Sequence, residues 1–415
     1  MDRKAIWLVL SAVALLMVSN YLTRALLPSF RPSNSDFSEL YASSWLWRQG
    51  QNPYDSAPAT AARQHIVGGS SDEIFLVNVP TALVLVAPFT LLPWGWANFL
   101  FLMLGVAGFA VTTFGILRLQ GRSSWGLETA AMIVFLLSFS PFRIAFQWEN
   151  IVVLVLPLLI LTIVLAECKR DWQAGLLLGL TVCLKPQIGL WVGAYYLLRG
   201  RFKILWPAVA ISLFITALFF LHPIPYPGVM GLYRSNMQHW FGPGGAYGFT
   251  EGSVPFLLLR TQGIFYLGTH SVFASNLMAH LLFLSGAGAW GILVWRFGDR
   301  IPCSLAIATL SSLSFLSLYH SIPDLSVLTL SLCDGFPASL RQWTRLQKLI
   351  CGCLFLMMLP GRSITEFLHY HLSPPVIHSW WWDAFFVRYM VWLLMALSLT
   401  LLLRMREAQG KRAGA

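Results

Sequence analysis

What most constrains this chain is that apolar runs recur along nearly its whole length, each bounded by a short polar or basic segment. They lie near 5–27, 95–118, 127–142, 150–167, 173–184, 187–198, 203–222, 272–295, 302–319, 324–338, 346–360 and 384–404. A helix of roughly 20 apolar residues crosses ~30 Å of hydrocarbon, so these runs read as about twelve transmembrane helices. Composition agrees: 57% hydrophobic and only 11% charged residues, with a mean hydropathy of +0.66, exclude a water-soluble globular core. The expected fold is an all-α integral membrane bundle forming one polytopic domain over residues 1–415.

Charge sets the expected orientation. With the N-terminus in the cytoplasm, the inside loops carry Arg3/Lys4, Arg118/Arg122, Lys169/Arg170, Arg199/Arg201/Lys203, Arg296/Arg300, Arg341/Arg345/Lys348 and Arg404/Arg406/Lys411/Arg412, which is 18 of the 28 Lys and Arg. That is the positive-inside pattern, and it leaves both termini cytoplasmic. The net charge of +11 therefore has a source in loop asymmetry, and no nucleic-acid partner is expected. The first run is too long for a signal-peptide core, and no small-residue cleavage site follows it, so it reads as an uncleaved membrane helix.

Two stretches need separate treatment. Residues 79–92, VPTALVLVAPFTLL, are apolar, but counting them as a crossing would reverse every later loop, and prolines at 80, 88 and 93 interrupt them. They read as an interfacial helix within a long first outer loop spanning 28–94. Around Lys185-Pro186 the proline disfavours helical backbone at Lys185. Two short helices with Lys185 at an outer apex are expected there, and a single kinked helix is the alternative.

The six cysteines sit in or beside apolar stretches, without zinc-ligand spacing, and read as small hydrophobic residues. His369, His371 and His378 have no acidic partner at ligand spacing, so no metal is expected; the nearby Trp380 to Trp382 fit an aromatic belt.

The first outer loop carries the chemistry-bearing residues. Asp36, with Glu39 three residues on, precedes Phe37, Leu40, Tyr41 and Trp45 at helical spacing, and Gly50 and Asn52-Pro53 end that segment. One reading makes Asp36 an N-cap and Glu39 its capping-box partner. The other makes this an amphipathic helix on the membrane surface holding a carboxylate where a lipid-linked head group would lie. Sugar transfer from such a donor needs a base for the acceptor hydroxyl and a cradle for the departing phosphate.

Candidates for the cradle are Lys185, also readable as a snorkelling lysine, and His320 with Asp324, also readable as a polar capping turn. Gln147 and Asn150 are placed to line a cavity, with Glu149 as a solvated cap. The outer loop 223–253 contributes Arg234, His239 and a glycine-rich stretch from Gly242 to Gly245 suited to closure over a site. No Lys-Ser/Thr follows those glycines, so they are not a nucleotide-phosphate loop.

Several pieces, in order, resemble glycosyltransferase family 87. They are Asp36 with Tyr41-Ala42 and Gly50-x-x-Pro53-Tyr54-Asp55, then Asn78-Val79-Pro80, Ala87-Pro88 and Leu92-Pro93, then Gln147-x-x-Asn150, and Ala174-Gly175 through Gly179 to Lys185-Pro186. Phe146, where the family often has glycine, and Val79-Pro80 depart from the pattern. The resemblance implies a bundle of the GT-C type and a plasma-membrane hexosyltransferase using a polyprenyl-phosphate sugar, with mannose favoured, and a glycolipid or glycan acceptor. It implies Asp36 as the catalytic base in an inverting displacement, supported by Glu39 and Tyr41, with the active site outside the cytoplasm and no cofactor. A transporter or lipid-linked sugar flippase is the competing class. Its members commonly show repeated halves, whereas here one long outer loop has no counterpart. A non-catalytic envelope-assembly protein, with Asp36 only a cap, is a further alternative.

Overall fold

The computed structural model describes residues 3–23, 34–68, 71–121, 126–222, 226–242, 245, 248–250, 259–318, 320–335, 343–358, 364, 367–368, 370–377 and 379–411. Pro243, Gly244, His369 and His378, and the basic residues Arg122, Arg341 and Arg412, lie outside the described residues. Contacts divide the chain into two compact units: Met1–Gly115, Phe142–Leu197 and Arg201–Trp240 form one, and Ile116–Pro141, Leu198–Gly200 and Phe241–Ala415 form the other.

In chain order the helices are α1 (Arg3–Tyr21), α2 (Asp36–Arg48), α3 (Ser56–Val67), α4 (Pro80–Val86), α5 (Trp94–Leu119), α6 (Leu127–Ser138), α7 (Ser140–Gln147), α8 (Val152–Glu167), α9 (Asp171–Leu184) and α10 (Pro186–Leu198). They continue as α11 (Phe202–Phe220), α12 (Tyr226–Phe241), α13 (Gln262–Thr269), α14 (Val272–Phe297), α15 (Cys303–Ser317), α16 (Leu332–Gly335), α17 (Arg345–Met358) and α18 (Tyr389–Lys411).

Among the described residues four helices are long and apolar enough to cross a membrane: α5, α11, α14 and Tyr389–Gln409 of α18. The broken pair Thr129–Ser138 and Ser140–Gln147 makes five if it counts as one span. On α11 and α14 large apolar side chains such as Trp206, Leu213, Phe214, Phe273, Leu281 and Leu284 are exposed. Water would penalise that surface; hydrocarbon does not. This is an integral membrane protein, but helix length alone does not reach the expected dozen crossings. Five further apolar helices among the described residues have only 10–17 residues, and α9, with 14, is ~21 Å long.

One apolar run is in part a 3-10 helix. Within the run 324–338 the described residues belong to a 3-10 helix, Ile322–Ser331, with all ten residues buried, continued by α16. The Pro323 ring, and Asp324, which caps Ser321, start it. In the same unit α15 is buried along its entire length.

In the first unit small residues bring helices to backbone contact. Gly175 and Gly179 stand one turn apart on α9, and a Cβ on Gly175 would lie 2.3 Å from the Ile204 carbonyl oxygen. One on Gly179 would lie 2.7 Å from that of Ala208. These contacts run in register along α9 and α11, so the two helices are parallel, packed as small-x-x-x-small motifs pack. Gly179→Val should therefore force the helices apart, and we expect the purified variant to lose stability by at least ~1–3 kcal/mol, read as a lower melting temperature in detergent. An unchanged melting temperature would show that the helices can separate freely.

The chain also breaks sharply at Lys185. A Cβ on Gly189 would lie within 2.9 Å of Val182, although residues seven apart in a continuous helix are separated by ~10 Å. The helical propensity of the 173–198 stretch is realised, but as two pieces folded back on each other, for the reason Pro186 supplies.

Candidate active site

The segment Ser33-Asn34-Ser35-Asp36 offers several residues able to cap a helix, and the choice falls on Ser35. Its backbone is extended and its hydroxyl accepts the Ser38 amide, leaving Asp36 as the first residue of α2 rather than its cap. Glu39 is then not a capping partner. It faces Arg63 of α3 at 3.4 Å, while the Arg63 guanidinium donates to the Asp72 carbonyl at 2.6 Å.

Nine of the 13 residues of α2 are buried. It is therefore not the amphipathic surface helix expected from sequence. Helices α3 and α4 pack on it, Phe37 stacks on Phe101 at 4.1 Å, and the Tyr41 hydroxyl donates to the Leu92 carbonyl at 2.7 Å. Tyr41 is a buried tie between the two ends of the loop, and Asp36 alone at the N-terminus is exposed.

The turn between α7 and α8 meets that terminus. The Asp36 amide donates to the Trp148 carbonyl at 2.9 Å, and the Asn150 side-chain amide donates to Asp36 Oδ2 at 2.5 Å. Lys185, at the break between α9 and α10, donates from Nζ to Asn150 Oδ1 at 3.2 Å. Asn150 and Lys185 are buried, each 8% exposed. A cation and an amide thus stand behind a carboxylate that faces outward, an arrangement that puts positive charge within reach of an anion beside it. Thr81 fixes the break, its hydroxyl donating to the Cys183 carbonyl at 2.7 Å.

Glu149 is a correction to the sequence reading. It is 6% exposed, not a solvated cap, and its backbone takes the left-handed conformation with φ 50°. Its carboxylate accepts from the Ser35 hydroxyl and from Asn98 Nδ2 at 2.9 Å. Burial raises its pKa, and the two hydrogen bonds pull in the opposite direction. Glu149 joins the cap of α2 to the turn bearing Asn150, so it holds the carboxylate and amide in register. Ser35 and Asn98 were missed in the sequence. Their partner lies 114 and 51 residues away respectively, and no local spacing encodes such a contact.

The other candidate residues make contacts of their own. The Gln147 amide donates to Asn20 of α1 at 3.4 Å. Arg234 and His239 are exposed on α12, which occupies much of the expected 223–253 loop and docks on the first loop. Asn236 donates to the Tyr54 and Leu76 carbonyls, and His239 stacks on Phe75 at 3.7 Å. His320 belongs to the second unit and is 2% exposed, with Asp324 at 3.6 Å and the Phe315 ring at 4.1 Å. Among the described residues no group of His, Cys, Asp and Glu could hold a metal ion.

Burial first, and the Asp36 charge second, push the Glu39 carboxyl from 4.5 up to about 7, against the lowering effect of Arg63. An acid raised on folding keeps its proton in the native chain while the unfolded chain has released it. Stability from this group is complete below 4.5 and is lost as pH rises through about 7. Glu39→Gln should flatten that dependence: between pH 5 and pH 8 its melting temperature should fall by less than the wild type's. An equal fall in both would remove Glu39 as the titrating group.

Comparison with known proteins bears on what this arrangement does. The sequence profile of glycosyltransferase family 87 matches residues 75–319, more than half of the chain. The match includes Gln147, Asn150, Lys185, Arg234 and His239 and lies C-terminal to Asp36. The alpha-(1->3)-arabinofuranosyltransferases of two Mycobacterium tuberculosis strains, CDC 1551 / Oshkosh and ATCC 25618 / H37Rv, are each 29% identical over 113 residues, 26% of this chain and 26% of theirs. The chain thus spans about a quarter of the length of these curated relatives. No solved structure matches.

Proposed function

This chain belongs to glycosyltransferase family 87, and from that premise we propose that it moves a hexosyl residue from a polyprenyl-phosphate donor to an acceptor hydroxyl, with Asp36 as general base. As a membrane glycosyltransferase it must hold together a proton acceptor and a stabiliser for the leaving group. The observation that carries the reading is the hydrogen-bonded chain from Asp36 through Asn150 to Lys185.

The acceptor hydroxyl gives its proton to Asp36 Oδ1 or Oδ2 as its oxygen attacks the anomeric carbon. The bond from that carbon to the phosphate oxygen breaks on the opposite face, its electron pair leaves with polyprenyl phosphate, and the configuration inverts. Asn150 orients the carboxylate, and the Lys185 ammonium offsets the charge gathering on the phosphate, the kind of preorganised stabilisation worth ~10²–10³ in rate. Gln147 shares the turn that carries Asn150. Arg234 and His239 on α12 are available to sugar or phosphate. We place the site on the extracytoplasmic side of the plasma membrane, with both termini cytoplasmic and a glycolipid or glycan acceptor, on the distribution of Lys and Arg and the family resemblance.

The sugar is taken as mannose. The two mycobacterial relatives are arabinofuranosyltransferases, which makes a furanosyl donor the second reading. Purified wild type offered polyprenyl-phosphate mannose, polyprenyl-phosphate arabinofuranose and a nucleotide-linked mannose should consume the first, with inversion at the anomeric carbon seen by NMR. Consumption of the nucleotide sugar alone would overturn the lipid-donor reading, and preference for the furanosyl donor would replace mannose.

A further inference from the structure

At the opposite end of α9 from Lys185, ~21 Å away along the helix, the first unit has a cavity of about 810 Å3. Lys169, Arg170 and Lys203 line its mouth, and Trp172, Trp206 and Ala210 line its apolar wall. It is built where α9 and α11 begin. Because the two helices run parallel and touch through Gly175 and Gly179, both N-termini point to this end, and the positive ends of two helix dipoles add to the three cations. The carboxylate among the lining residues, Asp171, is paired with Arg201, whose guanidinium also donates to the Ala166 carbonyl at 2.9 Å. The cavity is therefore left with a surplus of positive charge. Lys169 holds left-handed backbone at φ 61°, a conformation that costs a non-glycine residue ~1–2 kcal/mol.

The depth of the cavity follows from α11. That helix is one of the four able to cross the membrane, and it starts at Phe202, so Lys203 stands in its first turn at one membrane boundary. Trp206, Pro207 and Ala210 follow over the next two turns toward the hydrocarbon. Trp172 and Trp206 are 65% and 71% exposed, as amphipathic rings at an interface are. A ligand here must carry negative charge at the boundary and apolar chain below it.

We propose that this cavity binds an anionic glycerophospholipid of the surrounding bilayer, its phosphate held by Lys169, Arg170 and Lys203 and an acyl chain lying along Trp206 and Ala210. A free anion would satisfy the mouth but leave the tryptophan-lined wall unused. A zwitterionic lipid would fill the wall but bring no net charge to the mouth. The separation from Lys185 distinguishes this site from the donor-phosphate position proposed above, and it does not depend on that assignment.

The test uses the full chain in nanodiscs or detergent, with tryptophan fluorescence and native mass spectrometry as readouts and phosphatidylglycerol, phosphatidylcholine, glycerol phosphate and polyprenyl phosphate as probes. The wild type should retain phosphatidylglycerol in preference to the other three. The double variant Lys169→Asn with Lys203→Ala should bind it about thirty-fold more weakly, since each basic group near a lipid surface is worth about a five-fold factor. Asparagine tolerates the left-handed backbone at 169, and Lys203→Arg, which keeps the charge, should bind as the wild type does. Equal retention of phosphatidylcholine, undiminished phosphatidylglycerol binding by the double variant, or displacement by glycerol phosphate or polyprenyl phosphate at equal concentration would each overturn the proposal.

Discussion

Asp36→Asn should leave the protein folded and reduce sugar transfer by ~10³-fold or more. Asparagine preserves the size of the side chain, and the cap of α2 is Ser35, so helix formation does not depend on a carboxylate at 36. What is lost is the acceptor for the hydroxyl proton, a function that alone contributes ~10²–10⁴ in rate. The Asn150 amide, which donates to Asp36 Oδ2 at 2.5 Å, would face another amide and still find a partner. Melting temperature and binding of the donor should therefore stay near wild type while kcat collapses. A variant with wild-type kcat would remove Asp36 from the reaction. One that fails to fold would be replaced by Asp36→Glu, which keeps the base but moves it by one methylene and should retain partial activity.

Lys185→Met should be the second most damaging change, for a different reason. The lysine is 8% exposed, and methionine fills much of its volume, so the break between α9 and α10, set by Pro186 and Thr81, should persist. Removal of the ammonium takes away the positive charge behind Asn150 and the electrostatic stabilisation of the departing phosphate, expected to cost ~10²–10³ in kcat. The loss should be larger for donors whose leaving group is a poorer phosphate, because stabilisation of developing charge matters most there. A variant impaired in KM but not in kcat would recast Lys185 as a binding residue for the ground state.

Much of the helical scaffold is legible in the sequence, because apolar runs bounded by basic residues and proline carry their own signal. The break at Lys185-Pro186 and the starts of α9, α11 and α14 fall within a few residues of expectation. What the runs do not encode is whether a helix of 10–17 residues crosses hydrocarbon or packs inside protein. From Ile322 to Ser331 the chain is a buried 3-10 helix, a form that the apolar composition of the run 324–338 does not foretell. Similarly, α2 has the tryptophan and tyrosine content of an interfacial helix, yet α3 and α4 cover it, a long-range fact that periodicity within 13 residues cannot express.

The candidate site divides in the same way. Asp36, Asn150 and Lys185 could be chosen from residue type and resemblance, although they are separated by up to 149 positions in the chain. Their connection through the Asn150 amide became visible only in three dimensions. Glu149 looked like a polar cap because acidic residues at helix starts usually are. Its left-handed backbone and its buried bonds to Ser35 and Asn98 depend on chain crossings that no local pattern records.

The most direct measurement is a cryo-EM structure of the chain with a phosphonate analogue of polyprenyl-phosphate mannose, in which carbon replaces the scissile oxygen. The account requires the phosphonate beside Lys185 and the anomeric carbon on the side of Asp36, with room for an acceptor hydroxyl at hydrogen-bonding distance, about 3 Å, from its carboxylate. A phosphonate bound away from Lys185, with Asp36 facing empty solvent, would contradict it.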